Sequence, residues 1–107
     1  MSGFVKIASR GDVNEGELMA VEANGSEIVL ACVGGELFAL DALCSHAHGY
    51  LDQGWLDGST VVCPLHGGSF DLRTGAPVAA PCDTPVRAYR VKIEGDDILV
   101  DLTGMKS

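Results

Sequence analysis

The chain has 107 residues, a length typical of one small domain with one core. Its 7 Lys and Arg residues are outnumbered by 15 Asp and Glu residues, and the formal net charge of −8 argues against nucleic acid or anionic lipid as a partner, because both require clustered basic side chains. Hydrophobic residues make up 47% of the chain, which is enough for a packed core and argues against a disordered protein.

Short runs rich in Val, Ile, Leu and aromatic residues follow one another along the chain and predict β-strands. In chain order, the predicted strands are residues 4–8, 17–21, 27–33, 36–41, 60–62, 69–71, 86–93 and 97–101. Glycine-containing turns separate several of them, at Asn24-Gly25, Gly34-Gly35, Gly58-Ser59 and Gly95-Asp96. Since no window shows a sustained helical period, the sequence predicts an all-β domain of small antiparallel sheets with little or no helix.

Cysteine usage depends on the compartment in which the protein works. The first residues lack the basic start, apolar stretch and cleavage site of a signal peptide, and the longest purely apolar run, residues 28–33, is too short to span a bilayer. We therefore expect a cytoplasmic protein. Because stable disulfides are uncommon in a reducing cytosol, the four cysteines favour a metal site over disulfide pairs.

A loop-rich segment, residues 42–82, holds two Cys/His motifs: Cys44-Ser45-His46 and, after 16 intervening residues, Cys63-Pro64-Leu65-His66. Two thiolates and two imidazoles suit either a tetrahedral zinc ion or a 2Fe–2S cluster with cysteines on one iron and histidines on the other. Zinc sites of this composition usually have both cysteines in one motif and both histidines in the other, whereas each motif here carries one of each. The pattern therefore favours an iron–sulfur cluster, and a structural module with a mononuclear zinc ion is the alternative.

These motifs and their surroundings resemble the Rieske-type ferredoxins over nearly the whole chain. The first motif with residues 51–54, and the second within residues 62–71, are similar to the two cluster loops of that family. Thr74-Gly75 with Ala80-Pro81 is similar to the proline-containing loop that covers the cluster. The resemblance implies a single Rieske domain over residues 1–107, with a cluster-binding subdomain at about residues 42–82. It also implies one 2Fe–2S cluster with four protein ligands: Cys44, His46, Cys63 and His66.

The chain departs from the membrane-bound Rieske proteins of respiratory complexes at informative positions. Those proteins have a disulfide between their cluster loops, and the matching residues here are Gly49 and Leu65, which cannot form it. They also carry a serine and a tyrosine, two and four residues after the second ligand histidine, whose hydroxyls donate hydrogen bonds to sulfur and favour the reduced cluster. The matching residues here are Gly68 and Phe70, neither of which has a hydroxyl. Ser69 lies between them and would point to the other side of a strand.

Acidic residues are concentrated in the same part of the sequence as the candidate ligands. Between Arg10 and Arg73 there are ten Asp and Glu residues and no Lys or Arg. An added electron therefore enters an electronegative region. The acidic surroundings and the absence of hydroxyl donors both disfavour the reduced cluster. Together they predict a reduction potential near the bottom of the Rieske range, roughly −150 mV.

The resemblance extends to the ferredoxins of aromatic ring-hydroxylating dioxygenase systems. It implies a one-electron carrier, not itself an enzyme, that takes electrons from an NAD(P)H-dependent flavoprotein reductase and passes them to a terminal oxygenase. We expect such a protein to be a monomer in isolation. The alternative within the same fold is the small Rieske-like subunit of a nitrite reductase, which often lacks the cluster ligands that are present here.

Five further residues have simpler interpretations. His48 is interpreted as a loop residue near the cluster and not a ligand. Cys32 lies between apolar neighbours in a predicted strand and is assigned to the core, and Cys82 is interpreted as a thiol in the covering loop. Tyr50 and Trp55 are expected to pack within the subdomain, with a docking surface as the alternative.

Overall fold

A computed structural model of the chain describes residues 4–23, 25–42, 50–64, 68–79 and 86–102. Within these residues the chain forms eleven β-strands and two short 3-10 helices, at Arg10–Asp12 and Leu51–Gln53. The strands are β1 (Phe4–Ser9), β2 (Leu18–Ala23), β3 (Ser26–Val33), β4 (Glu36–Asp41), β5 (Trp55–Asp57), β6 (Thr60–Val62), β7 (Ser69–Asp71), β8 (Pro77–Ala79), β9 (Ala88–Tyr89), β10 (Val91–Glu94) and β11 (Asp97–Asp101).

The strands form three antiparallel sheets. The first sheet has the order β1-β11-β10, the middle sheet β2-β3-β4-β9 and the third sheet β5-β6-β7-β8. The prediction of an all-β fold built from small antiparallel sheets is therefore confirmed. Among the described residues, no helix has the length and apolar character needed to cross a membrane.

The middle sheet is covered on both faces by the other two sheets. Side chains alternate between the two faces of a strand, so Leu30 belongs to a buried cluster that includes Ile98 of the first sheet. Its neighbour Val29 belongs to a second cluster, which includes Phe70 of the third sheet. Burial on both faces explains why β3 contains an uninterrupted apolar run instead of an alternating one.

The bounds of β1, β2 and β3 differ from the predicted ones by one or two residues, and two larger differences concern which strands form. The predicted strand at residues 86–93 is divided at Arg90: β9 pairs with β4, and β10 pairs with β11, so the chain passes here from the middle sheet to the first. Strands β5 and β8 were not predicted. Each has three residues and lies at an edge of the third sheet, and β8 begins with Pro77, which lacks the N–H needed in a central strand.

Arg73, which follows β7, contacts two residues of the middle sheet. The guanidinium of Arg73 donates to both carboxylate oxygens of Glu36 on β4, at 3.1 and 3.4 Å. It also lies over the ring of Phe38, 5.3 Å from the ring centroid. This exposed ion pair and the cation–π contact add a small contribution to the packing of the third sheet on the middle sheet, which the buried apolar core between them dominates.

Candidate metal centre

Cys63 is the candidate ligand that lies within the described residues. It follows β6 directly, and its side chain is fully buried, at 0% exposure, in the apolar cluster between the middle and third sheets. Its N–H donates to the carbonyl oxygen of Gly68 at 2.7 Å, which closes the base of the loop between β6 and β7. The other three candidate ligands, Cys44, His46 and His66, lie outside the described residues. His48 and Cys82 lie outside them as well.

One end of the third sheet gathers the chain segments that carry the candidate ligands. The register of the four strands places Trp55, Val62, Ser69 and Ala79 side by side in a row across this end. At the usual spacing of about 4.8 Å between neighbouring strands, the row is about 14 Å wide. Cys63 follows Val62, and the segment 80–85 follows Ala79. The second Cys/His motif and the segment 80–85 therefore both begin at this end of the sheet.

The segment 43–49 is attached beside the same end. The N–H of Leu51 donates to the carbonyl oxygen of Ala42 at 2.7 Å, which brings the two ends of this segment together. Two residues past the short helix, Trp55 pairs with Val62. A Cβ on Gly54 would overlap the Val62 carbonyl oxygen, so this backbone lies directly against the residue that precedes Cys63. The two Cys/His motifs are therefore attached at neighbouring points of the fold.

The residues present fit a Rieske-type cluster in their chemistry. Each motif supplies one thiol and one imidazole, which together make the two-cysteine, two-histidine donor set of such a cluster. Attachment of the motifs at neighbouring points is what a centre shared by two loops requires. The burial of Cys63 shields the sulfur of this candidate ligand from water.

The hydroxyl-free environment inferred from the sequence is present at Phe70. This ring is fully buried in the same apolar cluster as Cys63. Ser69 is also buried, at 7% exposure, and its side chain alternates to the opposite face of β7. Phe70 therefore offers no hydrogen bond to a cluster sulfur, as the low predicted potential requires.

Sequence reasoning missed a polar contact at the end of β4. The hydroxyl of Tyr89 donates to the Asp41 carboxylate at 2.6 Å, and the N–H of Arg87 donates to its other oxygen at 3.3 Å. Burial of Tyr89, followed by its hydrogen bond to Asp41, raises the pKa of the tyrosine. The contact joins residues 48 positions apart, and no local sequence pattern signals it.

Tyr50 and Trp55 differ from their expected packing role, because both are exposed, at 39% and 55%. The hydroxyl of Tyr50 donates to Glu27 at 3.3 Å, and the nearby charge of Glu27 raises the pKa of the tyrosine. A groove of about 350 Å³ runs beside Tyr50 and is lined by three carboxylates, those of Glu22, Glu27 and Asp52. The surface next to the candidate centre is thus acidic with exposed aromatic rings.

Cys32 lies in β3, as predicted, but it is half-buried at the margin of the core. Its sulfur is 3.8 Å from a carboxylate oxygen of Glu15. Burial and then the charge of Glu15 raise the pKa of this thiol, which keeps it protonated and weakly reactive.

Comparison with known proteins places this architecture in a family. Residues 3–90 match the family model described as the Rieske [2Fe-2S] domain. The ferredoxin component of biphenyl 2,3-dioxygenase from Rhodococcus jostii (strain RHA1) is 48% identical over 102 residues, which cover 94% of each chain. The structure of the ferredoxin of carbazole 1,9a-dioxygenase from Nocardioides aromaticivorans IC177 superposes with a TM-score of 0.89 at 43% identity, covering 94% of this chain and 98% of that one.

A further solved structure is a complex of reduced oxygenase and oxidized ferredoxin in carbazole 1,9a-dioxygenase. It contains a chain that is 28% identical, with a TM-score of 0.87 and 94% coverage of both chains. The relatives are ferredoxin components, which are electron-transfer subunits and not oxygenases, and this agrees with the expected carrier role. The family match confirms the expected cofactor: the chain belongs to the Rieske [2Fe-2S] domain family and carries one Rieske-type 2Fe–2S cluster.

Proposed function

We propose that this protein is the electron carrier of an aromatic ring-hydroxylating dioxygenase system. It takes one electron at a time from an NAD(P)H-dependent flavoprotein reductase and passes it to the terminal oxygenase. The observation that carries the proposal is the 48% identity, over nearly the full length of both chains, to the ferredoxin component of biphenyl 2,3-dioxygenase. The carbazole dioxygenase ferredoxin found in complex with its oxygenase supports the second partner.

The proposed ligands are Cys44, His46, Cys63 and His66. The cluster supplies a site that accepts and releases a single electron. The chain's own part is to hold the two Cys/His motifs at neighbouring points, through the pairing of β5 with β6 and the closed base of the β6–β7 loop. The Cys63 side chain is buried in the apolar core between the middle and third sheets.

The fold supports a division of the single domain into a cluster-binding part and a supporting part. We propose that the third sheet and the segments attached to it form the cluster-binding subdomain, at about residues 42–82 of a domain that spans residues 1–107. The first and middle sheets form its base. We further propose that the protein works as a monomer in the cytoplasm, where NAD(P)H is available to its reductase.

The proposal is tested by following one electron through the three components. The oxidised protein is mixed with NADH and the reductase of the Rhodococcus jostii biphenyl dioxygenase system, and the reduced cluster is measured by electron paramagnetic resonance (EPR). The terminal oxygenase of that system, loaded with biphenyl, is then added in the presence of oxygen. We expect NADH-dependent reduction, followed by reoxidation that yields hydroxylated product.

The controls omit each component in turn. Reduction without the reductase, or reoxidation that is equally fast without the oxygenase, would count against a carrier role. Purification of the native protein as a fixed subunit of a large redox enzyme, instead of as a separate chain, would favour the nitrite reductase alternative.

A further inference from the structure

The carboxylate of Asp41 joins two parts of the chain that flank the candidate centre. It accepts hydrogen bonds from the Tyr89 hydroxyl at 2.6 Å and from the Arg87 N–H at 3.3 Å. The backbone N–H of Asp41 donates in return to the carbonyl oxygen of Arg87 at 2.8 Å. Asp41 and Arg87 are thus connected by both backbone and side chain.

Each partner in this contact adjoins a segment of the centre. Asp41 ends β4 and is followed by Ala42, whose carbonyl oxygen accepts the bond from Leu51 that closes the first ligand segment. Arg87 follows Val86, the first described residue after the segment 80–85. Val86 is itself fixed, because its N–H donates to the Gly75 carbonyl oxygen at 2.9 Å. The Asp41 carboxylate therefore holds together the chain that leads into one segment and the chain that leaves the other.

We propose that Asp41 is a positioning residue for the iron–sulfur centre, and that it acts through its hydrogen bonds to Tyr89 and Arg87. It fixes the start of the segment that carries Cys44 and His46 relative to Val86, which follows the segment 80–85. This inference rests on the proposed function, since it takes those two residues as ligands.

The burial of Tyr89 makes it a firm anchor for Asp41. The tyrosine is 2% exposed and belongs to the core cluster between the first and middle sheets, so its ring has little freedom to move. A buried phenol requires a partner for its hydroxyl, and Asp41 supplies one. Burial and the hydrogen bond raise the pKa of Tyr89, so the hydroxyl remains a donor throughout the neutral pH range.

The test is a double-mutant cycle on the cluster-loaded protein, with the variants Tyr89→Phe, Asp41→Ala and the two combined, because alanine leaves no acceptor for the Tyr89 hydroxyl. Cluster loss is followed by bleaching of the visible spectrum in the presence of an iron chelator. We expect each single variant to lose its cluster about tenfold faster, which corresponds to about 1.4 kcal/mol. Because both changes break the same contact, we expect the double variant also to be about tenfold faster and not about a hundredfold faster.

The EPR g values of the reduced cluster separate positioning from general stabilisation of the fold. We expect them to shift in both single variants and to stay at the wild-type values in Asp57→Ala, which removes a carboxylate from the opposite end of β5. The proposal would be overturned if the double variant lost its cluster about a hundredfold faster than wild type, or if both single variants had wild-type g values. Wild-type protein without a Rieske-type signal would instead refute the proposed function, before any variant is compared.

Discussion

The Glu15 carboxylate stabilises the turn between β3 and β4. The N–H groups of Gly34 and Gly35 donate to it at 2.6 and 2.9 Å. Both glycines have positive φ, 61° and 80°, as a tight hairpin turn requires. These backbone hydrogen bonds lower the pKa of Glu15, so the ionised carboxylate favours the folded state.

A lowered pKa sets the direction of a pH effect on stability. The contribution of Glu15 is fully present above its ordinary pKa of 4.5 and is lost as the pH falls through the lower value of the folded protein. We predict that the difference in Tm between wild type and Glu15→Gln, measured by circular dichroism, is largest near neutral pH and shrinks in acid. Glu22→Gln, on the exposed side of β2, is the control. A difference that stays constant with pH would contradict this role.

We expect Phe70 to determine part of the environment of the iron–sulfur centre. Its fully buried ring belongs to the same group of packed apolar side chains as Cys63. Respiratory Rieske proteins carry a tyrosine at the matching position. We predict that Phe70→Tyr raises the reduction potential by about 60 mV, since one hydrogen bond of about 1.4 kcal/mol to the reduced cluster changes a one-electron equilibrium tenfold. Redox titration measures the shift, with Phe4→Tyr in the first sheet as the control. Equal potentials for wild type and a cluster-loaded Phe70→Tyr would refute the argument.

At the scale of elements, the pairing of β5 with β6 joins the chain that follows the first Cys/His motif to the chain that precedes the second. Trp55 lies opposite Val62, and the residue before Trp55 is a glycine whose backbone contacts Val62 closely. Only a residue without a side chain fits at Gly54, because a Cβ there would overlap the carbonyl oxygen of Val62. The close approach brings the chain that leaves the first motif against the chain that enters the second.

We therefore predict that Gly54→Ala destabilises the protein by about 1–3 kcal/mol, the usual cost of forcing atoms into a filled space. Since the displaced strand leads directly to Cys63, the variant should also contain less iron per chain than wild type. Unfolding by denaturant and iron analysis measure the two effects. Gly11→Ala is the matched control, because among the described residues no atom beyond its chain neighbours lies within 4 Å of its added Cβ. Wild-type stability and iron content in Gly54→Ala would contradict this prediction, since they would show that the close approach of Gly54 to Val62 is not needed.

For the molecule as a whole, acidic residues are concentrated in the part of the sequence between Arg10 and Arg73. The ten carboxylates between Arg10 and Arg73 include those of Glu22, Glu27 and Asp52, which line the groove beside Tyr50. An acidic surface of this kind attracts a partner with a basic surface over a range that salt shortens. We expect such a surface to give fast, transient docking, which suits the proposed carrier role.

We predict that the rate of reduction by the reductase falls as ionic strength rises, by about tenfold over the range in which the Debye length shortens from about 30 Å to about 3 Å. Asp52→Asn should lower the rate at low salt and weaken its salt dependence, whereas Asp96→Asn, in the turn between β10 and β11, should do neither. Stopped-flow absorbance at several salt concentrations measures these rates. A rate that does not change with ionic strength would contradict steering by the acidic surface.

Local sequence patterns were sufficient for much of the fold. The bounds of β4, β6, β7 and β11 agree with the predicted strands, because alternating side chains and glycine turns mark them clearly. Strand β8 was missed because its pairing, and not its composition, makes it a strand. The contact of Asp41 with Tyr89, and the exposure of Trp55, depend on residues distant in the sequence and were equally hidden. The family and the cofactor followed from the two Cys/His motifs, while the ligand set remains a prediction.

The most direct test of that ligand set is EPR of the chemically reduced protein, compared among wild type, His66→Ala and His48→Ala. The two variants remove histidines from the same loop-rich segment, and only His66 belongs to a Cys/His motif that resembles a cluster loop. We predict a Rieske-type signal in wild type and in His48→Ala, and its loss in His66→Ala. A signal that survives in His66→Ala and disappears in His48→Ala would contradict the assignment of Cys44, His46, Cys63 and His66 as the ligands.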